Sequence, residues 1–314
     1  MRAPAGPWGR GGSPGVERYR MRIAVASGKG GTGKTTVATS LVLSLAADGR
    51  GGEFAPGPPL LLDCDVEAPN AHLFLRPHFE RVWEVGIPVP QVDEARCTAC
   101  GRCAEVCAYN AVAVLGAKVL VFPELCHGCG SCARACPEGA ITEVVRPIGV
   151  LRQGTAPGGV DFGHGELSVG EPMAGPVIRQ LKQQITPRPG QVVILDAPPG
   201  TSCPVVEAVR GADFLLLVTE PTPFGLHDLR LAVQVGRSLG MPMGVIINRD
   251  GIGDESLAHY CESEGITVLM RIPFERAIAR GFAQGRTLLE THPAYAPQFR
   301  EMVLEIGRRI EETG

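Results

Sequence analysis

Eight of the eleven cysteines in this 314-residue sequence fall between positions 97 and 136. They form two copies of one spacing, Cys97-x2-Cys100-x2-Cys103-x3-Cys107 and Cys126-x2-Cys129-x2-Cys132-x3-Cys136. Three closely spaced thiolates can wrap one face of a cubane iron–sulfur cluster, and in runs of this form the fourth ligand comes from the other half. The spacing therefore assigns one [4Fe–4S] cluster to Cys97, Cys100, Cys103 and Cys136, and a second to Cys126, Cys129, Cys132 and Cys107. Zinc sites instead normally present separated C-x2-C pairs. The proline that usually follows the fourth cysteine is present as Pro137 but replaced by Ala108 in the first half, a departure that touches local geometry and not ligation. His127, between two ligands, reads as a surface residue near the cluster.

A second constellation suits phosphate. Gly28-Lys29-Gly30-Gly31-Thr32-Gly33-Lys34-Thr35-Thr36 fits the Walker A pattern between an apolar strand and a helix. Glycines without side chains let backbone N–H groups close around phosphates at the positive end of a helix. Lys34 is expected to reach the β- and γ-phosphates of ATP or ADP, and the Thr35 hydroxyl to join the Mg²⁺ shell. Asp196, at the end of the apolar run Val192–Leu195, suits the Walker B role of holding Mg²⁺. Pro198-Pro199-Gly200 beyond it reads as a switch sensing the γ-phosphate.

Positioning these residues takes a sheet. Apolar runs at 22–26, 60–62, 192–195, 214–218, 243–247 and 267–269 read as strands buried on both faces. Helical stretches are expected after the phosphate loop, ending at Asp48-Gly49, and near 175–185, 225–239, 254–264, 274–284 and 295–311. Alternation of this kind predicts an α/β, doubly wound, mostly parallel sheet. Residues 91–146 interrupt it with the cysteine repeat, each half followed by a short strand candidate, 111–114 and 140–141. The expected division is 21–90 and 147–314 for the nucleotide-binding domain and 91–146 for a small α+β insert. Residues 147–174, rich in Gly and Pro, carry no clear pattern. Residues 1–20 hold five Gly, three Pro and four Arg with no signal-peptide pattern, and read as a disordered extension.

The bulk numbers fit a soluble protein. Hydrophobic residues make up 44% and charged residues 20%, and the net charge of −3 gives no reason to expect nucleic acid. No apolar run reaches the roughly 20 residues of a membrane span. Clustered cysteines without a secretory signal favour metal over disulfides and a reducing cytoplasm. Cys64 and Cys261 read as small buried hydrophobes. Phe299, Met302, Val303, Ile306 and Ile310 form a C-terminal helical stripe that reads as core and not as a membrane anchor.

The stretch Lys29–Thr35 resembles the deviant Walker A of the MinD, Mrp, ParA and nitrogenase iron-protein superfamily, P-loop NTPases of the SIMIBI type. The resemblance covers nearly all of 21–314 and is strongest to members that carry an inserted two-cluster bacterial ferredoxin-like domain. It implies an ATPase that forms an ATP-sandwich dimer, with itself or with a related chain, in which Lys29 reaches the partner's nucleotide. It implies further that Asp65, in Leu62–Asn70, positions or activates the attacking water, with Asp63 a second choice. Asn248 matches the family's adenine-contacting Asn, and Ile272-Pro273-Phe274-Glu275 resembles its Ile-Pro loop on the other side of the base, with Pro273 the contact. Cys203 lies seven residues past Asp196, the offset of a cluster ligand in the nitrogenase iron protein. With no second cysteine candidate beside it, and no late C-x2-C pair as in Mrp-type cluster carriers, Cys203 reads as structural.

Two functions are carried forward: ATP-gated electron transfer to a redox or metalloprotein partner, and an assembly or maturation ATPase for iron–sulfur or other metallocofactors. A positioning ATPase whose clusters only sense redox state is a third, weaker reading.

Overall fold

A computed structural model describes residues 21–47 and 57–313, so the expectations for residues 1–20 and for a helix stop at Asp48-Gly49 lie outside the described residues. The architecture is a nine-stranded sheet with helices on both faces. Its strands are β1 (Arg22–Ala26), β2 (Leu60–Asp63), β3 (His78–Val92), β6 (Ile141–Ala156), β7 (Val160–Leu167), β8 (Val193–Asp196), β9 (Phe214–Thr219), β10 (Met243–Asp250) and β11 (Thr267–Pro273). The spatial order is β11-β10-β9-β1-β8-β2-β7-β6-β3. From β11 through β7 every pairing is parallel. The last two pairings, β7 with β6 and β6 with β3, are antiparallel.

The continuous apolar runs are explained by burial on both faces. Ile23, Val25, Leu61 and Ile194 point into one core with Val37, Leu41 and Phe299, while Ala24, Leu62, Val193 and Leu195 point into the other. Helix α1 (Lys34–Ala46) lies on the first face, beneath the C-terminal helix α11 (Tyr295–Thr313). Phe299, Met302, Val303 and Ile306 of α11 are buried there, as the stripe predicts. Among the described residues no helix is long and apolar enough to cross a membrane.

The largest difference from expectation is at the antiparallel edge. The expected boundaries 91 and 146 fall inside two strands of 15 and 16 residues, which pair from His78↔Thr155 to Val92↔Ile141. The candidate strand at 140–141 meets this long β6 at its first residue, Ile141, and much of the unassigned stretch 147–174 is β6 and β7. Pro88, Pro90 and Pro147, with Gly86 and Gly149, mask the strand signal, yet proline is tolerated on an edge ribbon that leaves one side unpaired. Val85, Ile87, Val89, Ile148 and Leu151 are buried and form one apolar face of the ribbon. Helix α5 (Ala174–Gln184) packs against it, and Gln180 Nε2 donates to Gly86 O at 2.9 Å.

Residues 93–140 cap the ribbon. They hold short helices α3 (Arg102–Glu105) and α4 (Ser131–Ala135) and a separate two-stranded sheet, β4 (Val112–Leu115) with β5 (Lys118–Val121). Their own apolar centre is small, made of Cys103, Val112, Cys132 and Ile141 with a few half-buried neighbours.

Candidate functional site

The phosphate loop links β1 to α1 at the centre of the sheet, where β1 pairs with both β8 and β9. Gly33 is the N-cap of α1 with φ 95°, a left-handed conformation that glycine adopts without strain. Gly28 is required for a different reason: a Cβ there would collide with the backbone carbonyl of Asp228 in α7 (Pro223–Ser238). Ser27 Oγ donates to Lys29 O, and Gly200 N donates to Ser27 O at 3.0 Å, so the loop after Asp196 is tied to the phosphate loop.

A cleft of about 450 Å³ opens over this loop. Gly30, Gly31, Gly33, Lys34, Thr35 and Thr36 line its floor, Asp65 and Pro199 one side, and Asn248 and Pro273 another. Ile272, Phe274, Ile278 and Phe282 add an apolar wall suited to a flat base. The sequence reaches this wall only as far as Ile272–Glu275, because α9 (Arg276–Ala283) brings Ile278 and Phe282 in from the helix that follows.

Three carboxylates, Asp63, Asp65 and Asp196, cluster beside Lys34 and Thr35, and of them Asp65 lines the cleft. Asp63 and Asp196 face each other in register on β2 and β8, and both are fully buried. Burial pushes the Asp63 pKa up to about 6, against the pull of N–H groups from Ala71, Asp65 and Asn70. Those three N–H groups donate to its carboxylate at 3.0–3.1 Å, so Asp63 organises the loop that carries Asp65. Burial, then the Asp63 charge, hold Asp196 well above the ordinary carboxylate range, with Lys34 and the Thr35 hydroxyl pulling it back. The Thr35 hydroxyl is the one donor near Asp196, and it does not reach full hydrogen-bonding geometry with either oxygen. An orphaned buried carboxylate beside Thr35 and a second carboxylate is a donor set that fits a hard divalent cation. Asp65 is half-buried and faces the cleft; burial raises its pKa and Lys34 lowers it.

Two of the expected residues make contacts that the sequence does not show. Asn248 lines the cleft, but its Nδ2 donates to Thr32 O at 2.8 Å and its Oδ1 accepts from Arg249 N at 2.9 Å, so its amide braces the phosphate loop. Lys29 does not line the cleft; its ammonium is paired with Glu220. Glu220 was missed, although a carboxylate at the C-terminal end of buried β9 obeys the same edge rule that singled out Asp196.

The cysteines separate into two rings. Cys97, Cys100, Cys103 and Cys136 line one small cavity with Val92, Val119 and Ile141. Cys107, Cys126, Cys129 and Cys132 line another with Pro88, Tyr109 and Glu143. Among the described residues no three His, Cys, Asp or Glu side chains close on a single metal ion.

The two halves of this region match at a constant offset, Cys97 to Cys126, and the match extends to the backbone. Ala99 N and Gly128 N donate to Cys97 and Cys126 Sγ at 3.4 Å, while Ala111 N and Ala140 N donate to Cys107 and Cys136 Sγ at 3.3 Å. Phe122 N bonds Ala111 O and Asp93 N bonds Ala140 O, both at 2.8 Å. Left-handed residues recur in the same places, Ala99 with Gly128, Gly101 with Gly130, and Asn110 with Gly139. N–H groups turned toward four sulfurs form a cradle that stabilises thiolate charge, and four thiolates per cavity is the donor set of a [4Fe–4S] cluster. His127 stacks on Tyr109 with centroids 3.7 Å apart, outside the ring of sulfurs. Cys203 is exposed at the start of α6 (Cys203–Val209), whereas Cys64 and Cys261 are buried.

Fold and phosphate loop together define a P-loop nucleotide-binding protein. The chain belongs to the CobQ/CobB/MinD/ParA nucleotide binding domain family, which matches residues 23–288. It is 29% identical over 277 residues to an uncharacterized protein of Methanocaldococcus jannaschii, covering 86% of this chain and 92% of that one. It is 23% identical to an iron-sulfur cluster carrier protein of Pyrococcus horikoshii, covering 94% and 88%. The septum site-determining protein MinD of Pyrococcus horikoshii, solved with Mg-ADP, shares the fold at a TM-score of 0.54 and 17% identity, covering 94% of this chain and 99% of that one.

Proposed function

We propose that this chain binds and hydrolyses ATP with Mg²⁺ as a dimer, and uses the nucleotide cycle to gate electron transfer through two [4Fe–4S] clusters. Cys97, Cys100, Cys103 and Cys136 hold one cluster, and Cys107, Cys126, Cys129 and Cys132 the other, within residues 91–146. The clusters, when bound, supply one-electron storage. Lys34 and the backbone of Gly30–Thr35 bind the phosphates. Thr35 and Asp196 hold Mg²⁺, Asp65 orients water, and the apolar wall from Ile272 to Phe282 takes the base. Lys29 serves the partner chain's nucleotide.

The observation that carries this reading is the continuity between the two sites. Asp63 organises residues 65–71, and Val66 O in that loop accepts from Leu167 N of β7 at 2.8 Å. Strand β7 pairs with β6 and β6 with β3. Pro88 and Ile87 of β3 then lie against Gly128, beside Cys126 and Cys129. The loop that carries Asp65 is thus hydrogen-bonded to the ribbon that carries the second cysteine ring, a path along which a nucleotide-driven shift of that loop would reach the clusters.

A second reading, delivery or assembly of iron–sulfur clusters, is favoured by the named activity of the Pyrococcus relative and by exposed Cys100 and Cys129, one in each ring. Anaerobic reconstitution separates the two. A reduction potential that moves on addition of Mg-ATP supports gating; clusters that pass to an apo-protein acceptor, with potentials indifferent to nucleotide, support delivery.

A further inference from the structure

Glu220 follows β9 directly and is buried, with 7% of its surface exposed. Each of its oxygens takes a different cation: Oε1 accepts from Lys29 Nζ of the phosphate loop, and Oε2 from Arg249 Nη1 at 3.0 Å. Arg249 lines the nucleotide cleft and holds a left-handed backbone at φ 56°. A non-glycine residue keeps that conformation only where its surroundings over-determine it. Here the surroundings are Glu220 on its side chain and Asn248 Oδ1 on its N–H. One buried carboxylate therefore ties the loops after β1 and β9 to the end of β10, and Gly225 packs so closely on Glu220 O that a side chain there would collide with it.

Two cations on one buried anion leave a single uncompensated positive charge at a rim built for a polyanion. We propose that Glu220 is a positioning residue that holds Lys29 and Arg249 as a pair at the mouth of the cleft and withholds part of their charge from the phosphates. The proposal rests on the reading of this cleft as an ATP site. Nucleotide phosphates compete with Glu220 for the two cations, so the carboxylate lowers affinity in exchange for fixed geometry. Neutralising it while keeping its shape tightens binding, and the gain depends on the cations.

The test is calorimetric titration of the full-length protein with a non-hydrolysable ATP analogue and with ADP, at low and high salt, for wild type, Glu220→Gln, and Glu220→Gln combined with Lys29→Met and Arg249→Met. Glu220→Gln is expected to bind roughly two- to five-fold tighter at low salt, the scale of one partly exposed charge pair, with a steeper salt dependence. The triple variant loses that gain. Unchanged or weaker binding in a Glu220→Gln protein that melts like wild type overturns the proposal, as does a gain that survives in the triple variant. If Glu220→Gln does not fold, Glu220→Asp, one methylene shorter, keeps the charge but spans only one cation, and is expected to shift affinity in the same direction by less; no shift in that variant overturns the proposal. Wild type that binds neither nucleotide breaks the reading of the cleft itself and not the role of Glu220.

Discussion

The sheet around β1 and the cysteine region at the end of the β3–β6 ribbon are stabilised by different physics. The sheet is covered on both faces by large apolar side chains; Phe162, Phe214, Leu41, Leu61 and Ile178 are all buried to within 2% of their surface. Residues 93–140 have almost no such cover. Their apolar centre is three side chains, two of them cysteines, closed by Ile141 at the start of β6, while Leu115, Leu120, Phe122 and Leu125 stay substantially exposed. A unit near the size of about 40 residues, below which domains usually need metals or disulfides, is not held by that much burial. All eleven cysteines are free thiols, so disulfides do not fill the gap. The difference teaches that the core is specified by side-chain volume, whereas the cysteine region lacks that volume and the proposed clusters would supply what burial does not.

That contrast can be broken at several points. The largest effect is expected from iron chelation of reconstituted protein. Residues 93–140 should then become the first segment cut in limited proteolysis, while the thermal transition of the nucleotide-binding core stays in place. Cleavage spread evenly over the chain would show that the two regions do not differ in this way. Within the core, Phe162→Ala should lower stability by about 3–5 kcal/mol in chemical denaturation, the range for a fully buried aromatic, without changing iron content.

A buried histidine gives a pH test of the same core. His164 on β7 is 3% exposed, packed by Phe79, Phe162 and His72, and neither ring nitrogen has a partner. Burial, with smaller contributions from His72 and Arg152, lowers its pKa to about 4. The unfolded chain, with a pKa near 6.5, takes up the proton first. The neutral ring's contribution is therefore fully present above about pH 6.5 and is lost as pH falls through 4, amounting to about 3 kcal/mol. His164→Leu should flatten that acid limb in denaturation curves at pH 7 and pH 4.5. An acid limb identical to wild type would assign the loss to other groups. The smallest effect is expected from Gly128→Ala, which places a Cβ against Pro88 at φ 66°. It should cost about 1–2 kcal/mol and fall on the cysteine region alone, read as faster cluster loss with an unchanged core transition.

The two regions were also unequally legible in the sequence. Strands β1, β8, β9 and β10 are continuous apolar runs, so composition alone locates them, and the glycines of the phosphate loop mark the turn between β1 and α1. The cysteine spacing anticipates which sulfurs share a cavity, because each ring draws three residues from one half and one from the other. The ribbon was hidden for a physical reason. An edge ribbon needs apolar residues on one face only and tolerates proline, so Pro88, Pro90 and Pro147 disguise β3 and β6. Glu220 and Asp63 were hard to rank because their work is done on other residues. Asp63 turns its oxygens to backbone N–H groups, and Glu220 turns its own to two cations from distant parts of the chain.

The central claim is that nucleotide at the phosphate loop is felt at the cysteine rings. Its most direct test is an anaerobic EPR redox titration of reconstituted protein, first without nucleotide and then with Mg-ATP, alongside iron analysis. The account predicts about eight irons per chain, four for each cubane site, and a reduction potential that moves when Mg-ATP is added. Eight irons with a potential that stays fixed would contradict it.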